Sequence, residues 1–451
     1  MTSKSAPQAL SRRQTSPGVL RLLPGAEAKL NRPSTPAQGL SKRSKQPSSS
    51  ERSLVLRALR GINSLDLYQL GPVIGNGQFG QVRSGVHRLS QRRVALKVYS
   101  KSKAIVSDQI QCIQKEIDIL KEIDHPNIVR LYEILETKDH ITIVMEHCSG
   151  EDLGKYIARK SKLGETSART IFQQITDAIS YLHRKHIIHR DIKPQNILVH
   201  DTGGSISVKL VDFGLGARDT KTSSKLTAFC GTPAFMAPEI IAQDDYEGKP
   251  VDAWSLGILL YLMVTGTIPF DAPTSAQLYP KICCGNFNVP TFLSSALVDL
   301  LRGVLTVDAN QRLCVDQIRH HPWLCIEEQE TKRTAFIIES MTSLFVAEAS
   351  THRSILAEMT IYGLKKEAIL DDLASKTYNG VTAWYRLLHL QALQAKRKQS
   401  GAAASRVPRV LGSDQPNDEP SISSIDFARF LQEKLSQVKD SSVTKYIQVI
   451  D

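Results

Sequence analysis

Eight consecutive residues, His189-Arg190-Asp191-Ile192-Lys193-Pro194-Gln195-Asn196, place a carboxylate, an amine and a carboxamide in one short stretch. Asp212-Phe213-Gly214 follows at a short interval. An aspartate beside an incoming hydroxyl, a lysine near a transferring phosphate and an Asn/Asp pair of hard oxygen donors for Mg²⁺ are the parts that phosphoryl transfer to a hydroxyl requires. The protein does little covalent work in that reaction, so positioning and charge carry it.

This segment resembles the catalytic loop and metal-binding segment of eukaryotic protein kinases, and HRDIKPQN is of the serine/threonine form. A His-Arg-Asp triplet alone arises by chance; eight matching residues with Asp-Phe-Gly in register do not. The resemblance implies that Asp191 orients the substrate hydroxyl and accepts its proton. It implies that Lys193 stabilises charge developing on the γ-phosphate, and that Asn196 and Asp212 ligate Mg²⁺. Gly231-Thr232-Pro233 matches the loop beside the phosphoacceptor, so Thr232 is expected to hydrogen-bond Asp191 and Lys193. Ala237-Pro238-Glu239 closes the activation loop, with Glu239 expected to pair with Arg312.

Those residues need a frame to hold them. Ile74-Gly75-Asn76-Gly77-Gln78-Phe79-Gly80-Gln81-Val82 reads as strand, tight turn, strand. Its three glycines let backbone approach the phosphates of ATP, and Phe79 at the tip helps to exclude water. A lone GxGxxG also occurs in dinucleotide folds, but there a helix follows. Here a second strand follows, then Val94-Ala95-Leu96-Lys97, which resembles the kinase VAIK strand and puts Lys97 on the α/β-phosphates. Ile110, Ile113, Ile117, Leu120 and Ile123 recur at helical spacing, and Glu116 inside that helix is the carboxylate expected to hold Lys97. Asp118, about 200° round the helix, is expected to point elsewhere.

In kinase register, Met145 is the gatekeeper and narrows the back of the pocket. Glu146-His147-Cys148 is the hinge that meets adenine, and Asp152 contacts the ribose or a basic substrate side chain. The resemblance adds Ala95 and Leu198 to the nucleotide pocket. The implied fold is α+β and bilobal: a small β-rich N-lobe and a large helical C-lobe over residues 68–324.

The strings Lys225–Pro233 and Tyr246–Asp252 resemble the calcium/calmodulin-dependent kinase group, closest to its AMP-activated and microtubule-affinity-regulating branch. Lys193–Asn196 and Gly150–Leu153 also resemble autophagy-initiating kinases. One departure stands out: where that branch carries a threonine phosphorylated by an upstream kinase, this chain has Ala228. Thr227 is then a shifted phosphosite, with Arg190 and Arg218 as phosphate partners, or the loop orders without phosphate. A pseudokinase scaffold is the rival reading, and the intact set Gly75, Gly77, Gly80, Lys97, Glu116, Asp191, Asn196 and Asp212 argues against it.

Around this core, residues 1–67 form a basic leader expected to be disordered, with a short amphipathic helix possible over 54–65. Residues 1–60 hold twelve Lys/Arg against two acids, so almost all of the net charge of +12 belongs to the leader. That argues against a nucleic-acid-binding domain and for a basic tail, so no nucleic-acid partner is expected. Residues 325–350 read as a linker. Residues 351–394, with Tyr362–Leu373 and Tyr378–Leu388 as helices, resemble the small ubiquitin-associated-type domain of the same branch, which docks on its own kinase domain. Residues 395–451 read as linker and unassigned tail. No apolar run approaches the ~20 residues of a membrane span. Seven scattered cysteines without metal-ligand spacing suggest reduced thiols and a cytoplasmic setting.

Overall fold

The computed structural model describes residues 47, 49–60, 64–76, 80–106, 109–219, 225–226, 229–242, 245–325 and 349–404. Gly77, Gln78, Phe79, Thr227 and Ala228 therefore lie outside the described residues. So do most of the leader and the tail after Ala404.

Helix α1 (Ser49–Arg60) precedes five strands: β1 (Tyr68–Asn76), β2 (Gln81–His87), β3 (Arg92–Ser100), β4 (Leu131–Glu136) and β5 (His140–Glu146). They form an antiparallel sheet in the order β1-β2-β3-β5-β4. Between β3 and β4 come helices α2 (Lys101–Val106) and α3 (Ile110–Glu122).

Side chains alternate across a strand, so β3 serves two cores at once. Val94 and Leu96 pack with Tyr132, Leu135 and Val144 on one face of the sheet. Tyr99 belongs to the other core, with Ile113, Ile117 and Leu120 of α3. Burial on both faces explains why Val-Ala-Leu-Lys-Val-Tyr reads as an almost unbroken apolar run rather than an alternating one. The α3 stripe is buried at Ile113, Ile117 and Leu120, while Ile110 at its first turn is 41% exposed.

The larger lobe is built on helix α4 (Leu153–Lys160), α5 (Glu165–Arg184) and the helix Gly248–Thr265. In α5 the residues Ile171, Phe172, Ile175, Ile179 and Leu182 are buried at the expected spacing. Gly248–Thr265 is buried on nearly every side, and Trp254 within it stacks on Phe270 at 5.8 Å. The left-handed Gly266 (φ 81°) ends that helix, its N–H donating to the Leu262 carbonyl.

The large lobe continues through Ser275–Cys284, Ser295–Val304 and Val315–Arg319, and from residue 349 on the described residues form three more helices: Ala349–Ile361, Lys366–Ala374 and Gly380–Ala404. The last begins at a reciprocal cap, in which Thr382 N–H donates to Asn379 Oδ1 (3.0 Å) and Asn379 N–H to Thr382 Oγ1 (3.2 Å). Trp384, 1% exposed, anchors these helices, with the Tyr362 ring edge-on to it at 5.3 Å. They share one apolar core with the outer face of the sheet and with Val55 and Leu59 of α1.

Two boundaries need correction. The span 1–67 is not wholly without structure, because α1 occupies 49–60 and a 3₁₀ turn occupies 64–67. A helix was expected over 54–65; its observed position follows from Val55 and Leu59, which share a core with helices beyond residue 349. The linker expected from 395 likewise begins late, since the final helix continues to Ala404. Among the described residues no helix is long and apolar enough to cross a membrane.

Candidate active site

Lys97 projects from the cleft face of β3, and the helical period of α3 turns Glu116 toward it. Lys97 Nζ lies 2.7 Å from Glu116 Oε1 and 2.8 Å from Asp212 Oδ1. Burial alone would lower the Lys97 pKa, but Glu116, Tyr99 and Asp212 outweigh it and raise it well above the ordinary value. Burial works against Asp212 as well, and there Lys97 and the Gly214 N–H prevail, keeping the carboxylate below its usual range. Asp118 does point elsewhere, accepting from Gln114 on the exposed side of α3 at 2.9 Å.

Sequence reasoning missed Tyr99, whose hydroxyl donates to Glu116 Oε2 at 2.5 Å. Its signal was available: two residues beyond Lys97 on a strand means the same face.

The catalytic loop is held from beneath by Asp252, which is fully buried in the helix Gly248–Thr265. Its Oδ2 accepts from His189 N–H (2.9 Å) and its Oδ1 from Arg190 N–H (2.8 Å). His183 Nε2 lies 2.8 Å from the same Oδ2. Burial raises the Asp252 pKa, yet the hydrogen bond and charge of His183 bring it below the ordinary value. Arg190 (φ 63°) and Asp212 (φ 66°) both sit in the left-handed region, strain that tertiary contacts sustain at functional positions.

Four side chains then converge. Asp191 Oδ1 accepts from Thr232 Oγ1 at 2.9 Å, and Asp191 Oδ2 lies 2.7 Å from Lys193 Nζ. Lys193 Nζ also donates to Thr232 Oγ1 at 3.1 Å. Asn196 Nδ2 donates to the Asp191 carbonyl (2.9 Å) and to its Oδ2 (3.0 Å).

The expected nucleotide pocket is placed as follows. Ile74, Gly75 and Asn76 end β1; Gln81 and Val82 open β2. Ile74 is 52% exposed, as a roof residue of an open cleft would be. The sheet itself demands a glycine at 80: a Cβ there would sit 2.3 Å from the Val98 carbonyl oxygen. Ala95 and Met145 are register partners on β3 and β5, both buried. The Glu146 side chain turns to Lys209 Nζ at 2.7 Å. Burial, then the Glu146 charge, pushes the Cys148 thiol up to about 12. Asp152 caps α4, accepting from Lys155 N–H at 3.0 Å and pairing with Lys155 Nζ at 2.9 Å. Leu198 is half-buried opposite it, paired with Asp152 across two short strands.

The protein kinase domain family matches residues 68–324. The chain belongs to the protein kinase family. Serine/threonine-protein kinase SIK1 of Rattus norvegicus is 33% identical over 354 residues, covering 77% of this chain and 44% of that relative. Serine/threonine-protein kinase SIK2 of Gallus gallus is 32% identical over 356 residues, 78% of this chain and 44% of the relative. Probable serine/threonine-protein kinase MARK-A of Dictyostelium discoideum is 37% identical over 263 residues, 58% and 24% of the two chains. The chain thus spans less than half the length of these relatives. Its kinase domain falls among the AMP-activated-related kinases of the calcium/calmodulin-dependent group.

A protein kinase works with ATP and Mg²⁺, and the donor set fits the ion. Among the described residues no hydrogen bond ends on Asn196 Oδ1 or Asp212 Oδ2, so these two hard oxygens remain available. No cluster of three His, Cys, Asp or Glu side chains suited to a metal occurs among the described residues. Mg²⁺ takes one or two protein oxygens and completes its shell with phosphate and water.

The activation segment departs from expectation at Arg218. Rather than standing free for phosphate, its guanidinium grips Glu122 at the end of α3, at 2.6 and 3.0 Å. Arg190 Nε donates to the Leu215 carbonyl at 2.7 Å. Arg312 makes a bidentate pair with Glu239 (2.7 and 2.9 Å) and donates to the Pro250, Thr306 and Val307 carbonyls.

Proposed function

We propose that this kinase transfers the γ-phosphoryl group of ATP, with Mg²⁺, to serine or threonine hydroxyls of protein substrates. The observation that carries the reading is the convergence on Asp191. A hydroxyl, that of Thr232, already donates to one of its oxygens, while Lys193 and Asn196 fix the other. A substrate hydroxyl reaching the same carboxylate would be aligned by it and leave its proton on an Asp191 oxygen. Lys193 Nζ offers positive charge to the γ-phosphate as the hydroxyl attacks. Lys97, clamped by Glu116, would hold the α/β-phosphates, and Asn196 and Asp212 would hold the ion. Mg²⁺ when bound neutralises charge on the phosphate oxygens.

The scaffold and autophagy-type readings are less favoured, because every catalytic position is filled and the relatives are kinases of the AMP-activated-related branch. The C-terminal helical unit acts in cis on the small lobe in this proposal. Support comes from the Tyr378 hydroxyl donating to the Lys121 carbonyl (2.8 Å) and Ile134 N–H donating to the Tyr378 carbonyl (3.2 Å). Tight capture of ubiquitin in a pull-down would contradict it. Thr227 is the residue an upstream kinase would modify. Full activity of protein that mass spectrometry shows unphosphorylated there would remove that partner. Seven free cysteines support a cytoplasmic setting.

The test is phosphorylation of a Ser/Thr peptide array by purified chain with MgATP. Wild type labels peptides and Lys97→Met does not. Labelling that is equal in both, or absent in wild type, overturns the reading.

A further inference from the structure

The carboxylate of Glu116 has two oxygens, and the structure gives each its own partner. Oε1 takes Lys97 at 2.7 Å and Oε2 takes the Tyr99 hydroxyl at 2.5 Å. The three side chains are enclosed together, at 1% exposure for Tyr99, 2% for Glu116 and 5% for Lys97. The Lys97 ammonium also lies 5.5 Å from the centre of the Tyr99 ring. Burial and then the Glu116 charge keep the Tyr99 hydroxyl protonated far above its ordinary range. At neutral pH it therefore offers the carboxylate a permanent donor.

We propose that Tyr99 is a positioning residue for phosphoryl transfer: its hydroxyl fixes the plane of the Glu116 carboxylate and so holds α3 where Lys97 can be clamped. The inference rests on the kinase reading above. Swinging α3 outward would leave a buried phenol and a buried carboxylate oxygen unpaired, and unmade buried hydrogen bonds are costly. Among the described residues, the other side-chain hydrogen bonds that tie α3 to distant segments sit at its far end, where Arg218 holds Glu122 and Tyr378 holds the Lys121 carbonyl. None of them touches Glu116, whose hydrogen-bond partners are Lys97 on Oε1 and Tyr99 on Oε2. Since Lys97 is the group to be clamped, Tyr99 is the tie left to fix the carboxylate. This tie lies wholly within β3 and α3 and needs no phosphate on the activation segment.

The experiment compares full-length wild type, Tyr99→Phe, Glu116→Gln and the double variant, all phosphatase-treated. Phenylalanine keeps the ring and its packing and removes only the hydroxyl. We expect Tyr99→Phe to lower kcat about ten-fold or more while the peptide KM stays within about two-fold. The same substitution should have no further effect in the Glu116→Gln background. Hydrogen exchange of the Ile110–Glu122 amides should quicken about ten-fold in Tyr99→Phe. An equal loss in both backgrounds, or exchange in α3 that does not change, overturns the proposal. Absence of phosphotransfer in wild type would instead sink the kinase reading, and the exchange measurement would still decide for or against Tyr99.

Discussion

Replacing Arg386 by methionine tests how far the small lobe depends on the C-terminal helices. Arg386 lies in the helix Gly380–Ala404 and is 1% exposed. Its Nη1 donates to the Tyr132 carbonyl on β4 at 3.0 Å and its Nη2 to the Thr377 carbonyl at 3.0 Å. The guanidinium lies 4.2 Å from the centre of the Tyr378 ring. Two hydrogen bonds from a charged donor contribute ~1.5–3 kcal/mol each, and the desolvated ring contact adds ~1–2 kcal/mol. Against this stands burial of the charge, which pulls the Arg386 pKa down. Its removal returns several kcal/mol. Methionine keeps most of the apolar stem, so the net loss should be about 3 kcal/mol, within the range for breaking a buried polar junction. Urea unfolding of the full chain, followed by circular dichroism, should show a midpoint about 1 M lower. Exchange of the β4 amides Leu131–Glu136 should quicken alongside. Arg353→Met, on the exposed side of the same helical unit, should stay within about 0.5 kcal/mol of wild type. Equal midpoints for wild type and Arg386→Met would refute the reasoning.

Further outcomes follow from the same geometry. Burial pushes the His125 pKa down to about 4 and that of His87 down to about 3. The unfolded chain takes up protons on both near pH 6.5 while the folded chain does not, so stability must fall as pH drops below 6.5. The slope is up to ~2.7 kcal/mol per pH unit for two protons. Urea midpoints at pH 7.5, 6.5, 5.5 and 4.5 should decline in that order after the first step, and a flat series would contradict it. Cys148 should resist iodoacetamide at pH 7.5 in the folded chain while exposed Cys314 reacts, as read by peptide mass spectrometry. Comparable labelling of the two would contradict the thiol's placement. Chelating Mg²⁺ should stop phosphotransfer and leave the thermal midpoint within about 1 °C, because in the proposed site two protein oxygens would hold the ion. A large drop in that midpoint would reveal a structural metal instead.

Local patterns carried much of the site. The kinase resemblance singled out Asp191, Lys193, Asn196, Asp212 and Glu116, and the structure brings Asp191, Lys193 and Asn196 together and sets Lys97 against Glu116 and Asp212. What stayed hidden depends on contacts distant in sequence. Tyr99 looks like an ordinary β-former until Glu116 is found beside it. Arg218 looks like a free cation until α3 brings Glu122 to it. The leader helix was expected over 54–65 and lies at 49–60, where Val55 and Leu59 bury themselves against a unit beyond residue 349. Gly80 was credited to phosphate approach, although the Val98 carbonyl already forbids a side chain there. The bilobal fold was legible through its motifs, whereas the extent of α1 and of the last helix was set by packing.

The most direct test of the account is the turnover of Asp191→Asn at saturating MgATP, measured beside wild type on one peptide substrate. Asparagine keeps the shape but is far too weak a base to take up the hydroxyl's proton. Turnover should fall by about 10²–10⁴ while nucleotide affinity and the unfolding midpoint stay near wild type. Turnover equal to wild type in a homogeneous preparation would contradict the assignment of Asp191 and the mechanism built on it.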